Sequence, residues 1–281
     1  MGNSKKKTAG IRLVIQVFVF ALVFLIAISK WMAEKGIKIP LLPSASLHAI
    51  CPFGGVATLY EFVTTGSFIQ KIHSSSFILM ILSIITALLF GTIFCGYICP
   101  FGAFQEWIGK LGKKLFPKKY NKMVPKKLDR VLRYLRYFVL AMVLYHTATT
   151  AKLVFQSVDP YYALFNFFTD EVAVSAYIML GLIMVLSLFI ERPWCKYLCP
   201  YGAFLSLFNP IRVFKLRRNK NTCVGCKKCD RACPMNIEVS SKEVIGDLQC
   251  ISCHTCTSAF ACPIKDTVSI TLGKEGVRSE N

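Results

Sequence analysis

Charge is what this chain has least of. Only 17% of its 281 residues are charged, against about 25% in an ordinary soluble domain, while 54% are hydrophobic against about 45–50%. Mean hydropathy is +0.50. So few charges exclude a disordered or fibrous chain and argue against a purely soluble enzyme. Carboxylates are the scarcer sign: 15 Asp and Glu face 34 Lys and Arg, a formal +19. In a hydrophobic chain, basic residues flanking membrane spans account for that excess, and no nucleic-acid partner is expected. Nucleotide chemistry is missing as well. Gly54-Gly55 is too short for a phosphate loop, and the C-terminal part carries no recognisable nucleotide, flavin or substrate motif.

Apolar length is what the sequence does supply. Stretches at residues 11–32, 77–95, 135–154 and 172–190 approach the roughly 20 residues that cross a bilayer. The third is the weakest, with Arg136 at its start and polar residues at 146–150. Lys5, Lys6 and Lys7 precede the first as in a signal peptide, but the run is too long and no small-x-small cleavage site follows. Trp31 and Trp107 flank spans as interfacial aromatics would. Eleven basic residues lie between 110 and 136, three between 33 and 76, and none between 156 and 171. The expectation is a multi-pass protein of the cytoplasmic membrane with both termini in the cytoplasm. The basic middle loop reads first as a topology signal and lipid contact, with docking of an acidic redox partner as the alternative.

The membrane half repeats itself. Phe94-Cys95-Gly96-Tyr97-Ile98-Cys99-Pro100-Phe101-Gly102-Ala103-Phe104 returns as Trp194-Cys195-Lys196-Tyr197-Leu198-Cys199-Pro200-Tyr201-Gly202-Ala203-Phe204, offset by 100 residues throughout. A fainter echo pairs Cys51-Pro52-Phe53 with Asp159-Pro160-Tyr161. Two parallel hairpin repeats follow, related by an axis along the membrane normal, which brings Cys95, Cys99, Cys195 and Cys199 together. In a helical C-x3-C the Cβ atoms stand about 5–6 Å apart, too far for an unstrained disulfide but suited to a shared metal or cluster. Proline after the second cysteine ends the helix there and leaves N–H groups for cluster sulfurs. The alternative is four inert cysteines beside a conventional turn.

The C-terminal part is denser in cysteine. Cys223-x2-Cys226-x2-Cys229-x3-Cys233-Pro234 has the spacing of a bacterial ferredoxin run, and Cys250-x2-Cys253-x2-Cys256-x5-Cys262-Pro263 is a second with two extra residues. Two [4Fe–4S] clusters are expected with crossed ligation: Cys223, Cys226, Cys229 and Cys262 on one, and Cys250, Cys253, Cys256 and Cys233 on the other. Zinc is the competing reading of CxxC pairs, and the doubled run with its prolines disfavours it. His254 reads as a solvent-facing residue rather than a ligand.

At these residues the chain resembles the NapH-type membrane ferredoxins, whose module also forms the C-terminal part of NosR-type proteins. The resemblance covers residues 75–265 and rests on twelve of the thirteen cysteines. It implies an electron-transfer subunit between a cytoplasmic or quinone-pool donor and a membrane or extracytoplasmic redox partner. Such a subunit belongs to an oxidoreductase complex, for instance a quinol dehydrogenase, rather than acting as a stand-alone enzyme. A redox- or iron-responsive membrane sensor and a maturation factor for a cofactor enzyme are the alternatives. A quinone site would need proton acceptors near the outer side, where His48, His146 and Asp159 are candidates; Cys51 beside them is a redox thiol, a ligand or a packed small residue. Ferredoxin-type clusters near about −400 mV would not accept quinol electrons unless positive surroundings raise their potential. Lys227, Lys228, Arg231 and the stretch 212–220 could supply that charge.

The expected fold is an α-helical polytopic membrane domain of four spans over residues 1–208 and a basic juxtamembrane linker at 209–221. A small α+β dicluster ferredoxin-like domain at 222–272 and a flexible tail at 273–281 complete it.

Overall fold

A computed structural model describes residues 3–35, 74–150, 154–169, 172–264 and 266–272. His48, Cys51 and the tail 273–281 lie outside the described residues.

Helix α1, Asn3–Glu34, holds the sequence's longest apolar run. Its segment Gly10–Ala33 is, among the described residues, the one helix long and apolar enough to cross a membrane. Helix α2, Ser74–Phe90, has 17 residues. At about 1.5 Å per residue it measures about 26 Å, short of the roughly 30 Å hydrocarbon core. Gly91 stops it. The glycine sits at φ +75, its N–H bonds back to Ala87 O at 2.8 Å, and a Cβ there would lie 2.6 Å from Asn209 Oδ1. Helix α3, Pro100–Leu115, and helix α4, Lys126–Thr150, follow. Helices α5, Pro160–Phe165, and α6, Val174–Ser187, come next, the latter 14 residues and about 21 Å long. Two short helices close the region, α7 at Pro193–Tyr197 and α8 at Pro200–Ser206. The second to fourth expected spans therefore appear as helices α2, α4 and α6, none of which meets the length and composition of a full span.

These helices present apolar side chains outward as well as inward. Phe18, Ile78, Phe138 and Ile178 are exposed on α1, α2, α4 and α6, while Val23, Met80, Leu140 and Leu180 on the same helices are buried. Phe20 of α1 centres an aromatic cluster, with ring centroids 5.9 Å from Phe104, 5.1 Å from Trp107 and 5.7 Å from Phe165. Trp107 is thus packed on Phe20, because α3 folds back against α1.

The C-terminal part contains a three-stranded antiparallel sheet in the order β2-β1-β3. Strand β1 is Phe214–Arg218, β2 Val244–Ile245 and β3 Val268–Leu272. Leu216 lies opposite Ile245 on one side and Ile270 on the other. Helix α9, Lys228–Ala232, carries part of the first cysteine run. The segment expected as a linker is built into this sheet: β1 is its central strand and Asn209 and Arg212 are buried. Val213 N–H donates to Leu88 O at 2.9 Å, and Phe90 stacks on Phe214 at 4.8 Å. One apolar core runs through both parts, joining Met80 and Ala87 to Leu216, Ile245 and Ile251.

Candidate cluster-binding sites

The eight C-terminal cysteines divide into two sets of four. Cys223, Cys226, Cys229 and Cys262 line one cavity, with Arg218 and Val268 in its wall. Cys233, Cys250, Cys253 and Cys256 line another, closed by Leu216, Met235 and Ile245. The last cysteine of each run stands with the first three of the other. Left-handed residues shape both loops in the same way. Gly225 and Lys227 have φ +68 and +53; Ser252 and His254, at the matching places in the second run, have +47 and +54. Such turns aim successive N–H groups into one concavity, as anionic sites require. The Gly225 N–H on its sulfur holds the Cys223 thiol below the usual range. Ser252 pays for its unusual backbone with two bonds, donating to Phe90 O at 2.8 Å and accepting from Arg212 Nη1 at 2.9 Å.

Arg212 is the charge closest to the second set. It is buried, places Nη1 3.8 Å from Cys250 Sγ and donates through Nη2 to Ile245 O at 2.5 Å. Lys227, Lys228 and Arg231, the other cations expected to raise a potential, are exposed beside the first set. His254 faces inward: its Nδ1 is 3.0 Å from Tyr97 Oη. Burial, with Arg212 and Arg12 nearby, pushes its pKa down to about 4.

The repeated motif folds into the same turn twice. Cys99 and Cys199 cap helices α3 and α8 at φ/ψ −61/112 and −67/110, each followed by proline in the first turn. Cys99 Sγ accepts from Gly102 N–H at 3.4 Å, and Cys199 Sγ from Gly202 N–H at 3.3 Å. Ahead of them, Cys99 N–H reaches Phe94 O at 2.8 Å and Cys199 N–H reaches Trp194 O at 2.9 Å. Cys95 lies in a π-turn at Phe94–Ile98, whereas Cys195 lies in α7. The helix thus stops at the second cysteine, but another begins at the next residue. This is why its N–H groups are free to meet sulfur.

All four sulfur residues line one largely apolar cavity of about 340 Å³, and Cys250 lines it too. Asp159 is in the wall. It caps α5, accepting from Tyr161 N–H at 3.0 Å, and burial pushes its carboxyl up to about 7. His146 is exposed near the end of α4 beside Tyr145 and does not line the cavity.

Three side chains that the sequence does not single out brace this cavity. Gln105 donates to Cys195 Sγ at 3.8 Å and accepts from Trp194 N–H at 3.1 Å. Arg192, 0% exposed, donates to Cys95 O at 2.5 Å and to Glu106 at 2.6 Å. Glu106 also pairs with Arg12 of α1. Burial alone would raise the Glu106 carboxyl, but the two guanidinium groups hold it below the ordinary glutamate range. A lone acid and arginine in apolar surroundings is the one signal that points to this pair.

The two copies differ at four positions, and at one of them, Gly96 against Lys196, the chemistry changes outright. Gly96 lies so close to the C-terminal part that a Cβ would stand 2.4 Å from Ile251 O, and its own carbonyl accepts from Arg12 and Gln16. Its counterpart Lys196 is buried and pairs with Asp129 at 2.8 Å, which also accepts from Tyr197 at 2.6 Å.

Among the described residues, no three Cys, His, Asp or Glu side chains converge as ligands of a single ion would. The sulfurs instead stand around cavities, with N–H donors on several of them. That donor set suits iron–sulfur clusters.

Comparison with known proteins gives the same chemistry. A family of 4Fe-4S binding domains matches residues 72–119 and again 172–219, and a 4Fe-4S dicluster domain matches 215–263. The chain is therefore an iron–sulfur protein. An uncharacterized protein of Methanocaldococcus jannaschii is 35% identical over 79% of this chain and 86% of its own length. YccM of Escherichia coli is 31% identical over 79% of this chain, a match that spans 63% of YccM. The ferredoxin-type protein NapH of Haemophilus influenzae is 26% identical over 62% of this chain and 61% of its own length. The chain belongs to the NapH-like 4Fe-4S family, whose module is shared with the regulatory protein NosR. No solved structure matches it.

Proposed function

We propose that this protein is a membrane-bound electron-transfer subunit that holds three iron–sulfur centres in a row. Two are [4Fe–4S] clusters on the C-terminal cysteines, in the crossed sets described above. The third is a further cluster on Cys95, Cys99, Cys195 and Cys199. When bound, such clusters supply one-electron transfer and nothing else. The placement of the cysteines supports that order: Cys250 belongs to the second C-terminal set and also walls the four-cysteine cavity, whereas Cys226 of the first set is exposed. That shared wall is the observation that carries the reading. The electron-transport assignment in the name of YccM agrees with it.

Membrane insertion rests on the apolar helix Gly10–Ala33 and on the outward apolar faces of α2, α4 and α6. The shorter helices complete four crossings with both termini on the cytoplasmic side. Redox partner proteins supply the ends of the path. A quinone head group is the proposed exchange partner at the inner cavity, where Asp159 offers a carboxyl that titrates near neutrality.

Iron and acid-labile sulfide counted after anaerobic purification test the reading. About ten to twelve irons per chain are expected, falling to about eight in Cys95→Ala and in Cys195→Ala. About eight in all three proteins overturns the third centre.

A further inference from the structure

The two C-terminal cysteine sets do not face the same surroundings. The set with Cys250 is roofed by the helices: Gly96 touches Ile251, Tyr97 meets His254, and Thr92 donates to Cys250 O. The set with Cys226 is lined by none of helices α1 to α8, and Cys226 itself is exposed. Val224 is 68% exposed and Phe260 74%, large apolar side chains on the loops that carry Cys223, Cys226 and Cys262. Lys227, Lys228 and Arg231 stand exposed in the same stretch. Nearby carboxylates are already engaged. Asp230 accepts from Ser240 N–H at 2.7 Å, Glu243 pairs with Lys220, and Asp266 has a partner of its own. What projects is an apolar centre within a cationic rim.

We propose that this face, centred on Val224, Cys226 and Phe260 and rimmed by Lys227, Lys228 and Arg231, docks a soluble, acidic one-electron carrier protein. This inference rests on the electron-transfer reading above and adds the port through which the soluble side is served. Charge complementarity selects the partner: a rim with projecting cations and engaged carboxylates steers an acidic surface and repels a basic one. The apolar pair supplies the desolvated centre of a small transient interface. The carrier thereby reaches the least buried cysteine set, while the helices guard the other. The port is not the basic loop at 110–136, which lies on other elements. Nor is it one of the outward apolar faces of α1, α2, α4 and α6, since none of those helices lines the Cys226 set.

The test uses the cluster-loaded full chain in phosphatidylcholine nanodiscs. The probe is oxidised flavodoxin, an acidic flavin carrier, and dissociation is read by surface plasmon resonance at rising salt. Lys227→Glu/Lys228→Glu should weaken binding at least tenfold at low ionic strength, and salt should narrow that gap as screening lengths shorten. Phe260→Ser should weaken it with its salt dependence intact. Lys118→Glu/Lys119→Glu makes the same change in net charge on exposed residues elsewhere and should cost less than twofold. Equal binding by the first variant and the wild type, or a larger loss in the Lys118/Lys119 variant, overturns the proposal. Protection of Lys227 and Lys228 from acetylation when phosphatidylglycerol replaces part of the phosphatidylcholine, with no carrier present, would make the face a lipid surface, which also overturns it. Unchanged iron content and visible spectra separate these outcomes from cluster loss. Clusters that are present with binding indifferent to Lys227 and Lys228 sink the port alone, whereas a chain that takes up no iron sinks the electron-transfer reading.

Discussion

With the proposed pair of C-terminal clusters in place, removing the charge of Arg212 should lower the midpoint potential of the one held by the Cys250 set and leave that of the Cys226 set nearly unmoved. Its Nη1 is 3.8 Å from Cys250 Sγ and the side chain is buried, so neither water nor salt screens it well. Two unit charges about 4 Å apart at an effective dielectric of about 20 interact by about 4 kcal/mol. An electron added to a four-iron cluster is spread over several ångströms, and at a mean distance of about 7 Å the figure falls to about 2.4 kcal/mol. With 1.4 kcal/mol equivalent to about 59 mV in a one-electron step, Arg212→Gln should shift the midpoint down by about 100 mV. Arg212→Lys keeps the charge and should move it by less than a third of that. Electron paramagnetic resonance during a redox titration resolves the signals. Equal shifts of both C-terminal clusters, or none in Arg212→Gln, would refute the reasoning, because the charge touches one cysteine set only.

Two other perturbations follow from the geometry. Gly96→Ala places a Cβ against Ile251 O and the Cys253 backbone, neither of which can swing aside. It should cost about 1–3 kcal/mol and speed amide exchange along residues 250–254, as read by mass spectrometry. Asp159→Asn keeps the helix cap and removes the titration. A carboxyl raised to about 7 when folded is penalised increasingly as pH climbs from about 4, its unfolded value, to 7. The wild type should therefore lose thermal stability relative to Asp159→Asn across that window, with a constant difference above it. Parallel melting temperatures from pH 4 to 8 would count against the burial of this acid.

Much of the site was legible because cysteine spacing is local. C-x2-C-x2-C implies a tight loop, and Cys-Pro implies a sulfur at a helix start, where backbone N–H groups are unpaired. The offset of 100 residues told that one turn would be built twice. What could not be read is what depends on distant packing. Arg192 meets Cys95 across 97 residues, so no window of sequence links them; the stretch 212–220 reads as a source of charge for a cluster, but that Arg212 is the cation on Cys250, 38 residues away, comes only from the fold. Strand β1 was hidden for another reason. Phe214-Lys215-Leu216-Arg217-Arg218 alternates as a strand should, yet its basic residues read first as a juxtamembrane run. That Trp107 packs on Phe20 was also not legible, because α3 turns back onto α1, a fold-level event that the local pattern of aromatics does not encode.

The common core of the two parts bears on how the protein is made. Leu216, Ile245 and Ile251 pack in one cluster with Met80 and Ala87, and Cys250 is buried at that junction. Of the four sulfurs in that set, Cys250 and Cys256 are buried while Cys233 and Cys253 are half-buried. An iron donor approaching the closed chain therefore meets the Cys233 and Cys253 side first, and the seam against the helices is the last part of the set it can reach.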